Sequence, residues 1–301
     1  MRGPLFQAQL VESVLLTVIG FQTLVATKAA RVVAAAGCTA TVTQPVTVNP
    51  LPVANLKGPN VCFNNVTAFK DLSIGNTTLS TWAWNFGDAN TSPLQNPTHT
   101  YANPGTYAVT LTVTNTFGCV SSNTITVVVN PLPVASFSSL PVCLHDSTCF
   151  TNLSSISAGT VTGWSWNFGD AASGAHNISN LQNPCHTFTG IGPFTVILTV
   201  TSDSGCQSTT SLPATLNPIP IANFSATPPC LGAPTVFTDL STVTPPAITG
   251  WGWDFGDGTT SALQNPTHIY LAAGSYTATL VVTSSKGCKK ADHKVKQTYT
   301  A

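Results

Sequence analysis

The sequence predicts an all-β chain built from three tandem β-sandwiches, and three observations carry that reading. One phrase occurs three times: WAWNFGD at Trp82–Asp88, WSWNFGD at Trp164–Asp170 and WGWDFGD at Trp251–Asp257. Its second tryptophans, Trp84, Trp166 and Trp253, stand 82 and then 87 residues apart, a domain-sized period. Around each phrase, apolar residues alternate with Thr, Ser and Asn at a period of two, as in strands with one buried face. Helical periodicity is confined to an apolar run near the N-terminus.

The elements follow in order. Residues 1–36 have no assigned domain. Arg2 followed by the run Val14–Ala26 resembles a signal peptide in outline, with small residues at Ala34–Gly37. The run is too short for a spanning helix. Glu12, Lys28 and Arg31 fit the signal pattern poorly, and Ala35-Ala36-Gly37-Cys38 lacks the leucine of a lipoprotein box. A better-supported reading comes from Gly37–Pro52, which parallels Gly118–Pro133: both run from Gly-Cys to Asn-Pro-Leu-Pro. Residues 37–50 therefore read as the tail of a preceding repeat or a linker, and the chain as a fragment. Asn49-Pro50-Leu51-Pro52, Asn130-Pro131-Leu132-Pro133 and Asn217-Pro218-Ile219-Pro220 mark the joins, giving units at 51–131, 132–218 and 219–301. Proline fixes φ and favours an extended path, so the joins read as short and semi-rigid.

Within the first unit, Trp82, Trp84 and Phe86 fall on one strand face. Tyr107, Val109, Leu111 and Val113 alternate with Thr106, Ala108, Thr110 and Thr112, a half-buried antiparallel strand, and Ile125–Val129 supplies the closing strand. Gly118 stands at the turn between them.

Charged residues make up only 7% of the 301, ten basic and ten acidic, which excludes an electrostatic footprint for nucleic acid. The one local excess, Lys286, Lys289, Lys290, Lys294 and Lys296, reads as a solvated strand face. Nine cysteines imply an oxidising compartment. Cys62 and Cys119, Cys143 and Cys206, and Cys230 and Cys288 flank the three phrases at separations of 57, 63 and 58 residues. One disulfide within each unit is the expected pairing. Cys149 and Cys185 occur in the second copy alone, where the others have Ala68 and Val236, and Thr98 and Thr267; two cysteines gained together are expected to bond each other. Cys38 is left over.

W-x-W-[ND]-F-G-D, followed by Gln95–Tyr101 and Gly105–Val113, resembles the PKD (polycystic kidney disease) domain. The string returns at Gln264–Tyr270 and Gly274–Val282, while the middle copy has Phe188 and Phe194 for the two tyrosines and a longer turn at Ala171–Asn180. The resemblance covers residues ~50–301. It implies three immunoglobulin-like sandwiches in an extended array, extracellular or at the cell surface, within a larger bacterial surface or secreted protein.

Asp88, Asp170 and Asp257 in the phrases, with His99, His186 and His268, invite an acid–base reading. Their presence in every copy favours a structural one: the Asp caps its own turn beside a permissive Gly. No catalytic residue is expected. Calcium is the one cofactor left open, with Asp239, Asp254 and Asp257 making the third copy the most acidic. The functional expectation is a non-catalytic spacer or adhesion module, a semi-rigid rod joined to other domains. The alternative is an accessory segment of a secreted hydrolase that engages polysaccharide, surface glycan or protein polymer.

Overall fold

The computed structural model describes residues 11–18, 24–33, 39–75, 77–227, 231–245 and 247–298. These fall into two compact units, Met1–Pro131 and Leu132–Ala301. The first holds a small N-terminal sheet and one repeat; the second holds two repeats.

The N-terminal sheet corrects the helical reading of the apolar run. Strands β1 (Val11–Val18), β2 (Leu24–Val33) and β3 (Thr39–Val48) pair antiparallel in the order β1-β2-β3. Runs rich in Val and Thr suit a pleated surface, and ladder pairing meets their backbone hydrogen-bonding needs.

In the first repeat, β4 (Val61–Cys62), β5 (Leu79–Asn85), β6 (Gly105–Asn115) and β7 (Val120–Asn130) form a sheet with Thr91–Ser92, in the order β4-β7-β6-β5-edge. Short pairs face it: Leu56–Lys57 with Lys70–Asp71, and Thr67–Ala68 with Thr98–His99. In the second repeat, β8 (Val142–Cys143) precedes a four-stranded sheet. That sheet contains β9 (Val161–Asn167), β10 (Phe194–Ser202) and β11 (Gln207–Ala214), with Ile178–Ser179 on its edge. The facing sheet joins Phe137–Ser139, Ser147–Asn152 and Cys185–Thr187, and a short strand β12 (Leu216–Asn217) follows. The third repeat repeats the plan with β13 (Ile248–Asp254), β14 (Ser275–Ser284) and β15 (Lys289–Thr298).

The period of two becomes packing. Trp84 pairs in register with Leu111, Trp166 with Leu198 and Trp253 with Leu280. All six side chains are buried, and each pair sits in the core of its own repeat with Phe69, Phe150 or Phe237 from the facing layer. The threonines between Val109, Leu111 and Val113 stay half-exposed on the other face. Removing each of these large apolar side chains from water stabilises the fold by about 2–3 kcal/mol.

The cysteines do not pair within repeats as expected. Cys143 is bonded to Cys288, joining the second repeat to the third. That one bond rules out both Cys143–Cys206 and Cys230–Cys288. Cys119 is free while Cys62 is disulfide-bonded, so Cys62–Cys119 is not made either. Cys206 is disulfide-bonded as well, and Cys149 is joined to Cys185 across paired strands. Cys230 and Cys38 lie outside the described residues.

The reason is strand length. β4 runs parallel to the end of β7, with Cys62 opposite Asn130, while Cys119 sits just before β7 begins at Val120. Eleven residues of strand separate the two, about 35 Å at ~3.3 Å per residue. A disulfide requires Cα atoms within about 7 Å. In the second repeat, Cys143 stands opposite Asn217 and Cys206 lies at the far end of β11. The first cysteine of a repeat thus lies at its C-terminal join. The second lies at its other end.

Candidate functional site: the aspartate–histidine corner

Each repeat brings its phrase together with the histidine that follows it. The turn begins at the residue after the second Trp. Asn85 Oδ1, Asn167 Oδ1 and Asp254 Oδ1 each accept the N–H of the glycine two residues on, at 2.9 Å. A carbonyl or carboxylate oxygen serves equally, which explains why the phrase admits Asn or Asp. The glycines follow at φ +82° for Gly87, +73° for Gly169 and +81° for Gly256. A Cβ on Gly256 would stand 2.5 Å from the Thr277 carbonyl oxygen.

The aspartates come next. Asp88 Oδ1 accepts the Asn90 N–H at 3.1 Å and Asp257 Oδ1 the Thr259 N–H at 3.0 Å, so both cap their turns. Their second oxygens face histidine: Asp88 Oδ2 lies 2.7 Å from His99 Nε2 and Asp257 Oδ2 2.7 Å from His268 Nε2. Each ring lies flat on the phenylalanine of the phrase with centroids 4.3 Å apart, His99 on Phe86, His186 on Phe168 and His268 on Phe255. The edge of Tyr101, Phe188 or Tyr270 closes the other side. Burial, with the negative charge of Asp88 and with Tyr107 nearby, pushes the Tyr101 hydroxyl up to about 12.

The middle copy is built differently. Ala171–Asn177 form a 3-10 turn, and Asp170 is buried instead of capping its own loop. Its Oδ1 accepts the Thr189 hydroxyl at 2.6 Å, and its Oδ2 accepts the Thr189 N–H at 2.9 Å and lies 3.2 Å from His186 Nε2. Burial pushes the Asp170 carboxyl up, but the bonds from Thr189 and His186 outweigh it and hold the group below the usual range. Asp88 and Asp257 are held low in the same way, with burial opposed by His99 and Asn90, and by Thr259 and His268.

The corner of the third copy is not laid out as a catalytic relay. A nucleophile–base–orienter relay places nucleophile and carboxylate on opposite imidazole nitrogens. In the third copy the Thr259 hydroxyl, 3.5 Å away, and the Asp257 carboxylate crowd the same Nε2 of His268. The Thr259 hydroxyl is itself spent on Asp257 Oδ1 at 2.6 Å.

The carboxylates of the calcium reading do not converge. Asp239 Oδ2 accepts the Trp251 indole N–H at 2.7 Å and Gln264 at 3.3 Å, while its Oδ1 caps Ser241. Asp254 is spent on Gly256 and Asp257 on Thr259 and His268. Among the described residues no group of three His, Cys, Asp or Glu stands where it could hold a metal ion. Sequence reasoning missed the aspartate–indole tie, which recurs between Trp82 Nε1 and Asp71 Oδ2 at 2.7 Å. The sequence held no clear signal for it: the second copy has Asn152 for the aspartate yet keeps Trp164, whose indole N–H has no partner in the structure. The other tryptophans, Trp84, Trp166 and Trp253, are buried core rather than exposed platforms.

The PKD domain model matches residues 49–131, 129–215 and 217–299. Collagenase ColA of Bacillus cereus is 57% identical over 35 residues, 12% of this chain and 4% of that protein. Collagenase ColQ1 of Bacillus cereus strain Q1 is 50% identical over 40 residues, again 4% of that protein. The chain thus spans a small fraction of the curated relatives it matches. The solved PKD1 domain of Vibrio anguillarum Epp is 28% identical, with 28% of this chain and 99% of that one covered at a TM-score of 0.26.

Gly256→Ala is expected to destabilise the third repeat by about 2–3 kcal/mol, from positive φ and a clash with backbone; chemical denaturation measures it. The pH response of the second repeat follows from Asp170. Its folded carboxyl ionises at lower pH than the unfolded one, so it contributes stability above the unfolded value of about 3.9. That contribution is lost as pH falls below this value. The denaturation midpoint of the unsubstituted chain should therefore fall more steeply below about pH 4 than that of Asp170→Asn. Equal slopes would show that the carboxylate contributes nothing there.

Proposed function

The chain belongs to the PKD domain family, and on that premise we propose that it is a non-catalytic spacer in a larger secreted or surface protein. One observation carries the reading: the aspartates and histidines of all three phrases are committed to internal bonds and ring stacking. A site that does chemistry needs groups left over for a substrate. Placement outside the cell fits the disulfides, which persist in oxidising compartments. Among the described residues no helix is long and apolar enough to cross a membrane.

The Cys143–Cys288 bond suits a spacer under tension. It closes a loop over a sequence separation of 145 residues, so the two ends of that loop cannot be drawn apart even if the sandwiches within it open.

A second reading, capture of a polymeric substrate for a neighbouring catalytic domain, is favoured by the short match to two bacterial collagenases. Saturable co-sedimentation with insoluble collagen or polysaccharide would support it over the spacer.

Stretching the oxidised chain by its ends should yield a contour length shorter than that of the reduced chain. Releasing 145 residues at ~3.4 Å each adds at least about 500 Å on reduction. Equal contour lengths in the two states would remove the mechanical argument.

A further inference from the structure

The second-position cysteine has a fixed setting in the first and third repeats. Cys288 Sγ lies 3.9 Å from the carbonyl oxygen of Asn217, the residue before the join. That same oxygen accepts the Leu144 N–H at 2.9 Å, from the residue after Cys143, and Cys143 is bonded to Cys288. Beside it, Val142 pairs with Leu216, which is 7% exposed. Three parts therefore meet at this join: a carbonyl, a covered apolar residue and a thiol bonded to a Val-Cys strand.

The N-terminal join has the same parts, with no such strand on it among the described residues. Cys119 Sγ lies 3.9 Å from the carbonyl oxygen of Asn49, and Cys119 is free. Among the described residues no backbone N–H is bonded to that oxygen. Val48, which corresponds to Leu216 and to the 2%-exposed Val129, is 44% exposed. It ends β3, an edge strand of its sheet. At the end of the first repeat the corresponding Val129 and Asn130 are paired by Val61 and Cys62, and Asn130 O accepts the Phe63 N–H at 2.8 Å.

We propose that Val48, Asn49 and Cys119 form an acceptor site for the Val-Cys strand of a further PKD repeat. The strand adds parallel to the end of β3, places its valine over Val48 and gives its next N–H to Asn49 O. Its cysteine bonds Cys119. Unsatisfied strand edges take up such segments through main-chain hydrogen bonds. In the bond-forming step the two thiols lose two protons and two electrons to a disulfide oxidant, which leaves as two thiols. Two independent signs support the assignment: the bonded state of the equivalent Cys288 and the uncovered state of Val48 and Asn49 O. The thiol, the oxygen and the apolar residue are the three contacts that the strand makes at the other join.

The probe is a peptide of the sequence Leu140–Asp146, LPVCLHD, activated as a thiopyridyl mixed disulfide. Cys119 thiolate attacks the peptide sulfur, the peptide–thiopyridyl bond breaks, and thiopyridone leaves with the proton. Release of thiopyridone gives the rate, and mass spectrometry gives the site. The peptide should label Cys119 at least about 10-fold faster than a same-composition peptide with cysteine moved to its N-terminus. Methylating the nitrogen of the leucine that follows the cysteine should lower that rate by about 10-fold, through loss of its bond to Asn49 O. Cys119→Ser should abolish labelling. Equal rates for the three peptides would overturn the proposal. So would disulfide-linked oligomers of the chain alone, formed through Cys119 without peptide uptake, which would assign the thiol to a contact between copies.

Discussion

Each repeat depends on one pairing, that of the Trp-x-Trp strand with the long central strand. In register it sets Trp84 against Leu111, Trp166 against Leu198 and Trp253 against Leu280. That register buries one face of both strands, and a slip of a single residue would turn the indoles outward. It also fixes where the phrase must stop. The glycine after Phe86, Phe168 or Phe255 passes so close to the central strand that a Cβ would meet a backbone oxygen within 2.5–2.7 Å. Only a residue without a side chain completes the turn there, and the aspartate that follows is left facing the histidine.

The corner is thus a consequence of packing. A phenylalanine ring at the end of the strand offers a flat face, the imidazole lies on it, and the carboxylate fixes the imidazole edge-on. The middle copy shows how much the arrangement tolerates. With Thr189 supplying the cap from another loop, Asp170 moves into the interior and the stack persists. Retaining the stack while the capping loop changes is the behaviour expected of a structural element. A catalytic dyad would demand the reverse, a constant environment for the carboxylate.

Much of this was legible because the sequence states it three times. The period-two pattern, the core tryptophans and the turn chemistry of WxW[ND]FGD all depend on neighbours a few residues apart, and local periodicity reports those directly. Asp239 illustrates the limit. Its spacing from Asp254 and Asp257 suggested a ligand set, but spacing carries no direction in space, and the carboxylate turns to the Trp251 indole. Comparison of the copies did not reveal it either, since the second repeat has Asn152 but keeps Trp164, and only the structure shows that this indole is unpartnered. The apolar run near the N-terminus failed for another reason. Short stretches of Val, Leu and Thr are compatible with helix or strand, and the choice fell to pairing with β2 and β3.

The cysteines expose a deeper ambiguity of tandem repeats. When every repeat carries a first and a second cysteine, a constant spacing within repeats implies an equally constant spacing between them. Bonding n to n and bonding n to n+1 therefore leave the same trace in the sequence. The choice is made by the sheet, because the first cysteine lies beside the last residues of its repeat and the second lies a full strand length away. A bond within the repeat would have to cross about 35 Å, whereas a bond to the next repeat needs only that the two meet at the join. The same strand that closes each sandwich thus decides that its disulfide must leave it, and an all-β module gains a covalent link to its neighbour.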